Sequence, residues 1–357
     1  KLVLGYTVEG FKEKDNGVEV LLKDNPSLQA DMVVLAIGVT PDTVLAKEAG
    51  LELGIKESIV VNDRMETSVP DIYAAGDAVQ VKHYVTGNDA LISLAGPANK
   101  QGRIIADNIC GGDSRYLGSQ GSSVIKVFDM TAATTGINET NAKKSGLEVD
   151  TVILSPMSHA GYYPGGKVMT MKVVFEKETY RLLGAQIIGY EGVDKRIDVL
   201  ATAIHAGLNA TQLKDLDLAY APPYSSAKDP VNMAGFMIDN IAKGTLKQWH
   251  LEDMDKISKD KDVVLLDVRT VGEFSRGHID GFKNIPVDEL RERISEIEKG
   301  KPVYLICQSG LRSYIASRIL EGNGYETYNF SGGFRFYDAV VNDRALIERA
   351  YACGMDY

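Results

Sequence analysis

Residues 303–313, VYLICQSGLRS, decide the fold of the C-terminal part of this 357-residue chain. The apolar run 303–307 predicts a buried strand that ends at Cys307, and the residues after the polar turn predict a helix from about Ser313. In such a unit the turn amides converge above the sulfur. The helix N-terminus adds partial positive charge and Arg312 adds a full one, so the pattern favours a thiolate at Cys307.

A buried structural cysteine is the alternative interpretation, because a lone cysteine often packs as a small apolar residue. Gly310 and Arg312 argue against it, since a structural cysteine needs neither. The turn would instead hold an anionic sulfur substrate or a persulfide. Its predicted substrate-binding residues are Gln308, Ser309, Gly310, Leu311 and Ser313.

The sequence around this turn resembles a rhodanese domain over residues 263–340. The matching segments are LLDVR (265–269), EF (273–274), GHI (277–279), NIP (284–286) and SGGF (331–334). The resemblance implies that Cys307 accepts a sulfane sulfur and passes it on, with Arg312 as a second catalytic residue. Related phosphatases place one residue more between cysteine and arginine, so the spacing favours sulfur. Gln308 stands where many members carry a basic residue, which leaves the donor open.

Three further residues of the rhodanese pattern have expected supporting roles. His278, in GHI, is expected to be structural, with a direct role as the less favoured alternative. Asp267 and Arg269 are expected to hold the loop from behind.

Residues 67–77, TSVPDIYAAGD, form the second informative stretch. An aspartate after Ala-Ala-Gly at a strand end can accept hydrogen bonds from a polyol, and the small residues let a ligand approach the backbone. A plain strand-to-turn sequence is the alternative. The pattern resembles the second flavin motif of pyridine nucleotide-disulfide oxidoreductases, in which Asp77 would bind the FAD ribityl chain.

That resemblance extends over residues 1–243 and ends in the dimerisation domain of the family. Residues 33–41 resemble the segment that links the nicotinamide and flavin domains, and residues 94–103 resemble the helix beside the flavin ring. FAD, NAD(P)H and a homodimer are implied. The implied cofactor-binding residues are Thr67, Gly76, Asp77, Leu94, Ala95 and Tyr220.

Within that family, the coenzyme A-disulfide reductase branch gives the best match. The deciding segments are HAGYYP (159–164) and YAPPYSSAKD (220–229). The resemblance implies that Tyr162 and Tyr220 are catalytic and reach the flavin of the partner subunit, with Tyr163 and Tyr224 as alternatives. Interface packing is the other reading of these aromatic residues. Asn99 and Lys228 match positions that contact coenzyme A.

Two parts of a complete reductase are missing from the sequence. There is no glycine-rich GxGxxG fingerprint for FAD or the nicotinamide, and no cysteine in the flavin-side position. Cys110 is expected to be structural, and Cys353 is either an incidental thiol or a mobile resolving one. We therefore expect an N-terminally truncated chain, short of the family architecture by roughly 150–200 residues, about one domain.

The remaining segments complete a multidomain α/β and α+β prediction. Strands are expected at 17–22, at 31–38 as one buried on both faces, and within 58–77. Helices are expected from Pro41 to Gly50, at 96–109 and from Val193 to Ile204, and a hairpin at 167–175 and 181–189. The predicted domains are 1–112 (the C-terminal part of a Rossmann-like NAD- and FAD-binding core), 113–243 (α+β dimerisation) and 244–357 (small α/β rhodanese).

Composition limits the partners. The net charge of -10 and pI of about 5.1 argue against nucleic acid and anionic membranes. No apolar run approaches the ~20 residues that span a bilayer, and three cysteines suit a reducing cytosol. We expect a cytoplasmic protein without a metal site.

Two functions remain open from the sequence, and a flavin peroxidase or NADH oxidase relative is a third, less favoured because of the rhodanese resemblance. The first is an FAD- and NAD(P)H-dependent reductase of CoA persulfide, polysulfide or CoA disulfide, coupled to Cys307 as a sulfur carrier. The second is a dimeric sulfurtransferase without reductase chemistry.

Overall fold

The computed structural model describes residues 5–352, which divide into two compact units. One unit contains the described residues up to Thr40 and those from Asp338 onward, and the other runs from Pro41 to Tyr337. The described helices are α1 (Val44–Glu48), α2 (Ala95–Ile109), α3 (Glu139–Lys144), α4 (Val193–His205), α5 (Pro230–Ala242), α6 (Met254–Ile257), α7 (Val271–Ser275), α8 (Leu311–Glu321) and α9 (Gly333–Ala352). The described strands are β1 (Val8–Lys14), β2 (Gly17–Leu22), β3 (Asn25–Ala30), β4 (Ile59–Val60), β5 (Val79–Lys82), β6 (Asp89–Ala90), β7 (Ser123–Val127), β8 (Met130–Gly136), β9 (Val149–Leu154), β10 (Thr170–Glu176), β11 (Leu182–Gly189), β12 (Gln248–Trp249), β13 (Val264–Asp267), β14 (Lys283–Asn284), β15 (Val303–Ile306) and β16 (Thr327–Phe330).

The first unit contains an antiparallel sheet in the order β1-β2-β3, and β2 confirms the strand predicted at 17–22. The buried strand predicted at 31–38 is wrong. This segment forms no strand, and Met32, Val34 and Ile37 are 75%, 76% and 88% exposed. A strand buried on both faces needs neighbouring strands, and none of the described strands pairs with this segment.

The second unit begins with a three-stranded sheet, β4-β5-β6, and the helix α2. α1 and α2 confirm the two helices predicted before residue 110. The strand pattern in 58–77 is only partly confirmed, because β4 is short and Tyr73 forms a single bridge with Glu66. The chain turns between Glu66 and Tyr73, because Pro70 has no amide N–H to donate and Asp71 has a φ of 63°.

A five-stranded antiparallel sheet, β7-β8-β11-β10-β9, follows, and it confirms the α+β prediction. The predicted hairpin is the pair β10–β11. Helices α4 and α5 cover one face, with Val173, Leu183, Leu200 and Ile238 fully buried in the shared core. α4 also confirms the predicted helix.

The last sheet is parallel throughout, in the order β12-β16-β15-β13-β14. β15 lies in its centre, and successive residues of β15 enter different cores. Leu305 packs with Leu266 and Leu320, whereas Ile306 packs with Trp249 and Phe330. The predicted apolar strand before Cys307 is thus confirmed, and the structure shows that it is buried on both faces.

Hydrogen bonds connect the parallel sheet to β9, the edge strand of the antiparallel sheet. The Ser331 Oγ accepts a buried hydrogen bond from the Ile153 amide at 3.1 Å. Gln248 donates to the carboxylate of Asp150 at 3.0 Å, and His250 Nε2 lies 3.0 Å from the other oxygen of that carboxylate. The domain that carries Cys307 is thus joined to its neighbour by directed polar contacts.

Among residues 5–352, none of the helices combines the length and the apolar character that crossing a lipid bilayer requires. The exact domain boundaries at 112 and 243 stay a prediction.

Candidate functional site

The sulfur of Cys307 lies at the bottom of the loop between β15 and α8, and only 1% of this residue is exposed. The Gly310 amide donates to Sγ at 3.1 Å, and the Ser313 hydroxyl lies 3.2 Å from Sγ. Gly310 has a φ of 98°, a conformation that glycine adopts readily, and this turns its amide toward the sulfur. The helix begins at Leu311 rather than at Ser313, so Gly310 is its N-cap. This arrangement suits a negatively charged sulfur.

Two neighbouring segments fix the shape of the loop. Asn329 is buried and donates through Nδ2 to the Gly310 carbonyl at 3.1 Å. The Phe334 amide donates to the Cys307 carbonyl at 2.8 Å, and the Arg335 amide donates to the Gln308 carbonyl at 3.1 Å. The SGGF motif therefore anchors the backbone of the sulfur loop.

Gly333 should be essential for this anchoring. It has a φ of 68°, and an added Cβ would lie 2.7 Å from the Ser309 nitrogen and 2.8 Å from the Cys307 oxygen. We expect Gly333→Ala to lower the melting temperature by several degrees and to reduce sulfur transfer, because the loop backbone must move. Gly324→Ala is the matched control: Gly324 also has a positive φ, 81°, but nothing lies within 4 Å of its added Cβ. Equal effects of both changes would contradict the prediction.

A buried ion pair lies behind the loop, at the residues expected to support it. The Arg269 guanidinium donates to both carboxylate oxygens of Asp267, to Oδ2 at 2.7 and 2.9 Å and to Oδ1 at 3.1 Å. Its centre lies 3.8 Å from the centroid of the Phe334 ring. Because the Phe334 amide bonds to the Cys307 carbonyl, this pair supports the loop through Phe334.

Arg312 is held by a partner that the sequence interpretation did not consider. Its two terminal nitrogens donate to the two carboxylate oxygens of Glu273, each at 2.7 Å. The Thr270 amide and hydroxyl also donate to Glu273, at 3.0 and 2.9 Å. The bonds from Arg312, with those from Thr270, lower the pKa of Glu273 to about 2. The charge of Arg312 is therefore largely neutralised by Glu273.

The stability that this ion pair contributes should depend on pH. The pKa of Glu273 falls from 4.5 to about 2 on folding, so its contribution is complete above about pH 5 and is lost as the pH falls toward 2. We expect the difference in unfolding free energy between wild type and Glu273→Gln to be constant from pH 7 to 5 and to shrink below that. Urea denaturation at each pH measures it, and a difference that grows on acidification would contradict the expectation.

Other predicted residues of this domain lie at the surface or outside the described part. Leu311 is 66% exposed, and Gln308 and Ser309 are half-buried. His278 is exposed, and its ring stacks on the Phe274 ring with centroids 4.0 Å apart; its structural role stays a prediction. Cys110 is exposed after the end of α2, and Cys353 lies outside the described residues.

The two predicted catalytic tyrosines contact each other. The hydroxyl oxygens of Tyr162 and Tyr220 lie 2.6 Å apart, although 58 residues separate them in the chain. This bond raises the pKa of the Tyr220 phenol. Tyr163 instead packs edge-to-face on His159, with ring centroids 5.6 Å apart. No hydrogen bond within the described chain joins the tyrosine pair to the Cys307 loop.

Removing the Tyr162 hydroxyl should lower the pKa of Tyr220 toward the ordinary value of about 10, because the protonated Tyr220 phenol loses its hydrogen-bond partner. The hydrogen bond is present below the ordinary pKa and is lost as the pH rises through the raised one. NMR titration of ring-labelled tyrosine, with the Tyr220 signal assigned from Tyr220→Phe, measures this in Tyr162→Phe. Tyr190→Phe, at another exposed tyrosine, is the control. An unchanged titration of Tyr220 in Tyr162→Phe would refute the prediction.

Arg196 connects the two tyrosine-bearing segments, and sequence reasoning missed it. It is 1% exposed and pairs with the buried Asp229 at 2.9 Å. The same nitrogen donates to the Ser158 carbonyl at 3.0 Å and to the Ser225 hydroxyl at 3.1 Å. The only signal in the sequence was an arginine in the apolar periodicity of α4. Such a position indicates a buried ion pair but does not name the partner.

A cavity of about 570 Å³ adjoins this network. It is large enough for part of an extended small molecule. Its lining residues are Ser158, His159, Glu191, Gly192, Lys195, Arg196, Ala219, Tyr220, Ala221, Pro223 and Tyr224.

Four of the residues predicted to bind FAD also come together: Gly76, Asp77, Leu94 and Ala95. A turn at Gly76–Ala78 packs on α2, and the buried Gln101 of α2 accepts a hydrogen bond from the Gly76 amide at 2.7 Å. α2 follows Leu94 without a side-chain cap, Ala95 is exposed, and so is Asp77. An exposed carboxylate beside uncapped helix amides fits one side of a cofactor that carries hydroxyl and phosphate groups.

Three other predicted ligand residues are placed separately. Thr67 closes the turn before this segment, donating through its hydroxyl to the Val69 carbonyl at 3.1 Å. Asn99 is exposed on α2. Lys228 is exposed, with its ammonium 5.7 Å from the centroid of the Phe236 ring. The binding roles of all three stay predictions.

Comparison with known families accounts for most of the chain. Residues 1–102 match "Pyridine nucleotide-disulphide oxidoreductase", residues 122–230 match the dimerisation domain of that family, and residues 250–339 match "Rhodanese-like domain".

Individual relatives agree with these matches. The chain is 39% identical over 214 residues to the NAD(P)H sulfur oxidoreductase (CoA-dependent) of Pyrococcus furiosus, covering 60% of this chain and 48% of that protein. It resembles the structure of reduced Bacillus anthracis CoADR-RHD with a TM-score of 0.91 and 46% identity, over 95% of this chain and 60% of the other. It also resembles the structure of an NAD-dependent persulfide reductase from A. fulgidus, with a TM-score of 0.84 and 40% identity, over 93% of this chain and 61% of the other. The chain spans about half the length of the curated relatives it matches. The sheets, the sulfur loop and these matches together show that residues 1–102 and 122–230 carry domains of the pyridine nucleotide-disulphide oxidoreductases and that residues 250–339 form a rhodanese-like domain.

Proposed function

We propose that this protein acts in the reduction of CoA persulfide, polysulfide or CoA disulfide by NAD(P)H, with Cys307 as the sulfur carrier. One observation carries the proposal. The same chain holds a cysteine sulfur bonded by a loop amide and a pair of hydrogen-bonded phenols beside a cavity. The first suits sulfur transfer, and the second suits proton donation to a thiolate leaving group.

The sulfur-transfer step follows from the loop. The Cys307 thiolate attacks the outer sulfur of R–S–SH, a new S–S bond forms at Sγ, and R–S⁻ leaves with the electrons of the broken bond. Cys307 is then a protonated persulfide, Cys–S–SH. The Gly310 amide and the N-terminus of α8 stabilise the negative charge of the Cys307 sulfur before transfer.

The reductase part would use residues from two regions. Thr67, Gly76, Asp77, Leu94 and Ala95 would hold FAD, with Tyr220 close to it. FAD would pass electrons from NAD(P)H to a sulfur–sulfur bond. Tyr220, hydrogen-bonded to Tyr162, would give its proton to the departing thiolate. Asn99 and Lys228 would contact coenzyme A.

We further propose a cytoplasmic homodimer. The match to the dimerisation domain supports it, and so does the outer strand β7, where Val124, Ile125 and Val127 are 58%, 60% and 51% exposed. Light scattering at micromolar concentration should give twice the chain mass. A monomer would contradict the proposal.

The second candidate is a sulfurtransferase without reductase chemistry, which the preformed Cys307 loop favours. Purified protein distinguishes the two. Bound flavin absorbance and NAD(P)H oxidation dependent on CoA polysulfide support the reductase, whereas colourless protein that transfers sulfur from a persulfide to cyanide supports the second candidate. Loss of NAD(P)H-dependent turnover in Cys307→Ser would show coupling, and unchanged turnover would refute it.

A further inference from the structure

We propose that Glu273 is a specificity-determining residue that makes the Cys307 loop discriminate against dianionic sulfur donors, such as thiosulfate, in favour of organic persulfides. The inference rests on the proposed sulfur-carrying role of Cys307. It concerns which donor the loop accepts and leaves the chemistry of transfer unchanged.

The first step is the state of Arg312. Arg312 lies in the first turn of α8, five residues after Cys307, where its positive charge could attract an anionic donor. Both of its terminal nitrogens are instead taken by Glu273 at 2.7 Å. A bidentate pair of this kind uses one donor of each terminal nitrogen and offsets the guanidinium charge, so an incoming anion gains less from Arg312 than from an unpaired arginine.

The second step is that Glu273 is held in place independently of Arg312. Thr270 is the N-cap of α7, and its amide and hydroxyl donate to the same Glu273 oxygen at 3.0 and 2.9 Å. The carboxylate side chain is only 22% exposed. Because Thr270 restricts the Glu273 side chain, a donor that displaced Glu273 from Arg312 would also have to break the hydrogen bonds from Thr270.

The third step is the charge of the surrounding loop. Arg269 is paired with the buried Asp267, and Gln308 contributes no charge. Arg269 and Arg312 are thus each matched by a carboxylate, and the loop amides and the helix N-terminus add partial positive charge beside Cys307. A helix N-terminus carries about half a positive charge, so it compensates a smaller share of the charge of a dianion such as thiosulfate than of a monoanionic sulfur.

Steady-state kinetics test the idea. Cys307 attacks the outer sulfur of thiosulfate or of glutathione persulfide, breaking one S–S bond and forming another, with sulfite or glutathione thiolate leaving and cyanide accepting the sulfur. In Glu273→Gln we expect kcat/KM for thiosulfate to rise about tenfold because KM falls. We expect kcat/KM for the persulfide to change less than about threefold. Glu273→Asp keeps the charge and should stay closer to wild type. Glu292→Gln makes the same charge change at an exposed residue of the domain and should leave kcat/KM for both donors unchanged.

A second readout does not depend on sulfur transfer. The ratio of Cys307 alkylation rates with iodoacetate, an anion, and iodoacetamide, which is neutral, reports the local charge. It should rise in Glu273→Gln and not in Glu292→Gln. If the ratio and the donor preference are unchanged, or no alkylation occurs in either protein, the proposal is wrong. If wild type transfers no sulfur while the ratio still rises, the role of Glu273 stands for anion discrimination and the proposed sulfur-carrying function fails.

Discussion

Replacing Cys307 by serine should reduce sulfur transfer by about 10³-fold or more, to the level without enzyme. A serine hydroxyl stays protonated at neutral pH and cannot carry a sulfane sulfur, so the covalent intermediate is lost. The change is nearly isosteric, and the Gly310 amide and the Ser313 hydroxyl can still bond to the new oxygen. The fold should therefore survive. The measurement is transfer from glutathione persulfide to cyanide, with mass spectrometry for one added sulfur atom.

Cys110→Ser is the control for this experiment. Cys110 is the other described cysteine, and it is exposed after the end of α2. The control should keep both the transfer rate and the added sulfur atom. If Cys307→Ser retained either one, another thiol would be the carrier, and the interpretation of the loop would have to be abandoned.

Replacing Arg196 by methionine should lower the free energy of unfolding by about 3–5 kcal/mol, since removing one partner leaves a buried charge uncompensated. Asp229 is 3% exposed and, among the described residues, would keep Lys195, at 3.9 Å, as its charged partner. The carbonyl of Ser158 and the hydroxyl of Ser225 would also lose a donor. Urea denaturation of the purified chain gives the value.

Two further variants show whether the buried charge is responsible. Adding Asp229→Asn to Arg196→Met removes the uncompensated charge, so the double variant should be less destabilised than the sum of the single ones. Arg293→Met, which breaks exposed ion pairs with Glu289 and Glu296, should have a small effect. Additive losses in the double variant would contradict the explanation.

The tyrosine pair should respond to the same substitution. Arg196 bonds to both segments that carry Tyr162 and Tyr220, so its loss should let these segments separate. At temperatures where Arg196→Met remains folded, we expect the Tyr220 titration to approach that of Tyr162→Phe. Destabilisation without this shift would mean that Arg196 supports the fold but does not position the tyrosines.

Local patterns in the sequence were sufficient for much of the architecture. The Cys307 turn, the β10–β11 hairpin and α4 each arise from residues close together in the chain, where periodicity and turn residues act directly. The family resemblance was sufficient to choose Tyr162 and Tyr220. The prediction at 31–38 failed because burial of a strand depends on neighbouring strands, and its own residues do not supply them.

Only the tertiary structure decided which charges meet. Glu273 lies 39 residues before Arg312, and Asp229 lies 33 residues after Arg196. No local pattern identifies such partners, because each pair forms only when separate elements pack and exclude water. The sequence by itself determined that a cysteine loop and an arginine were present. The fold determined that Glu273 neutralises Arg312, and from this pairing we infer which donors the loop accepts.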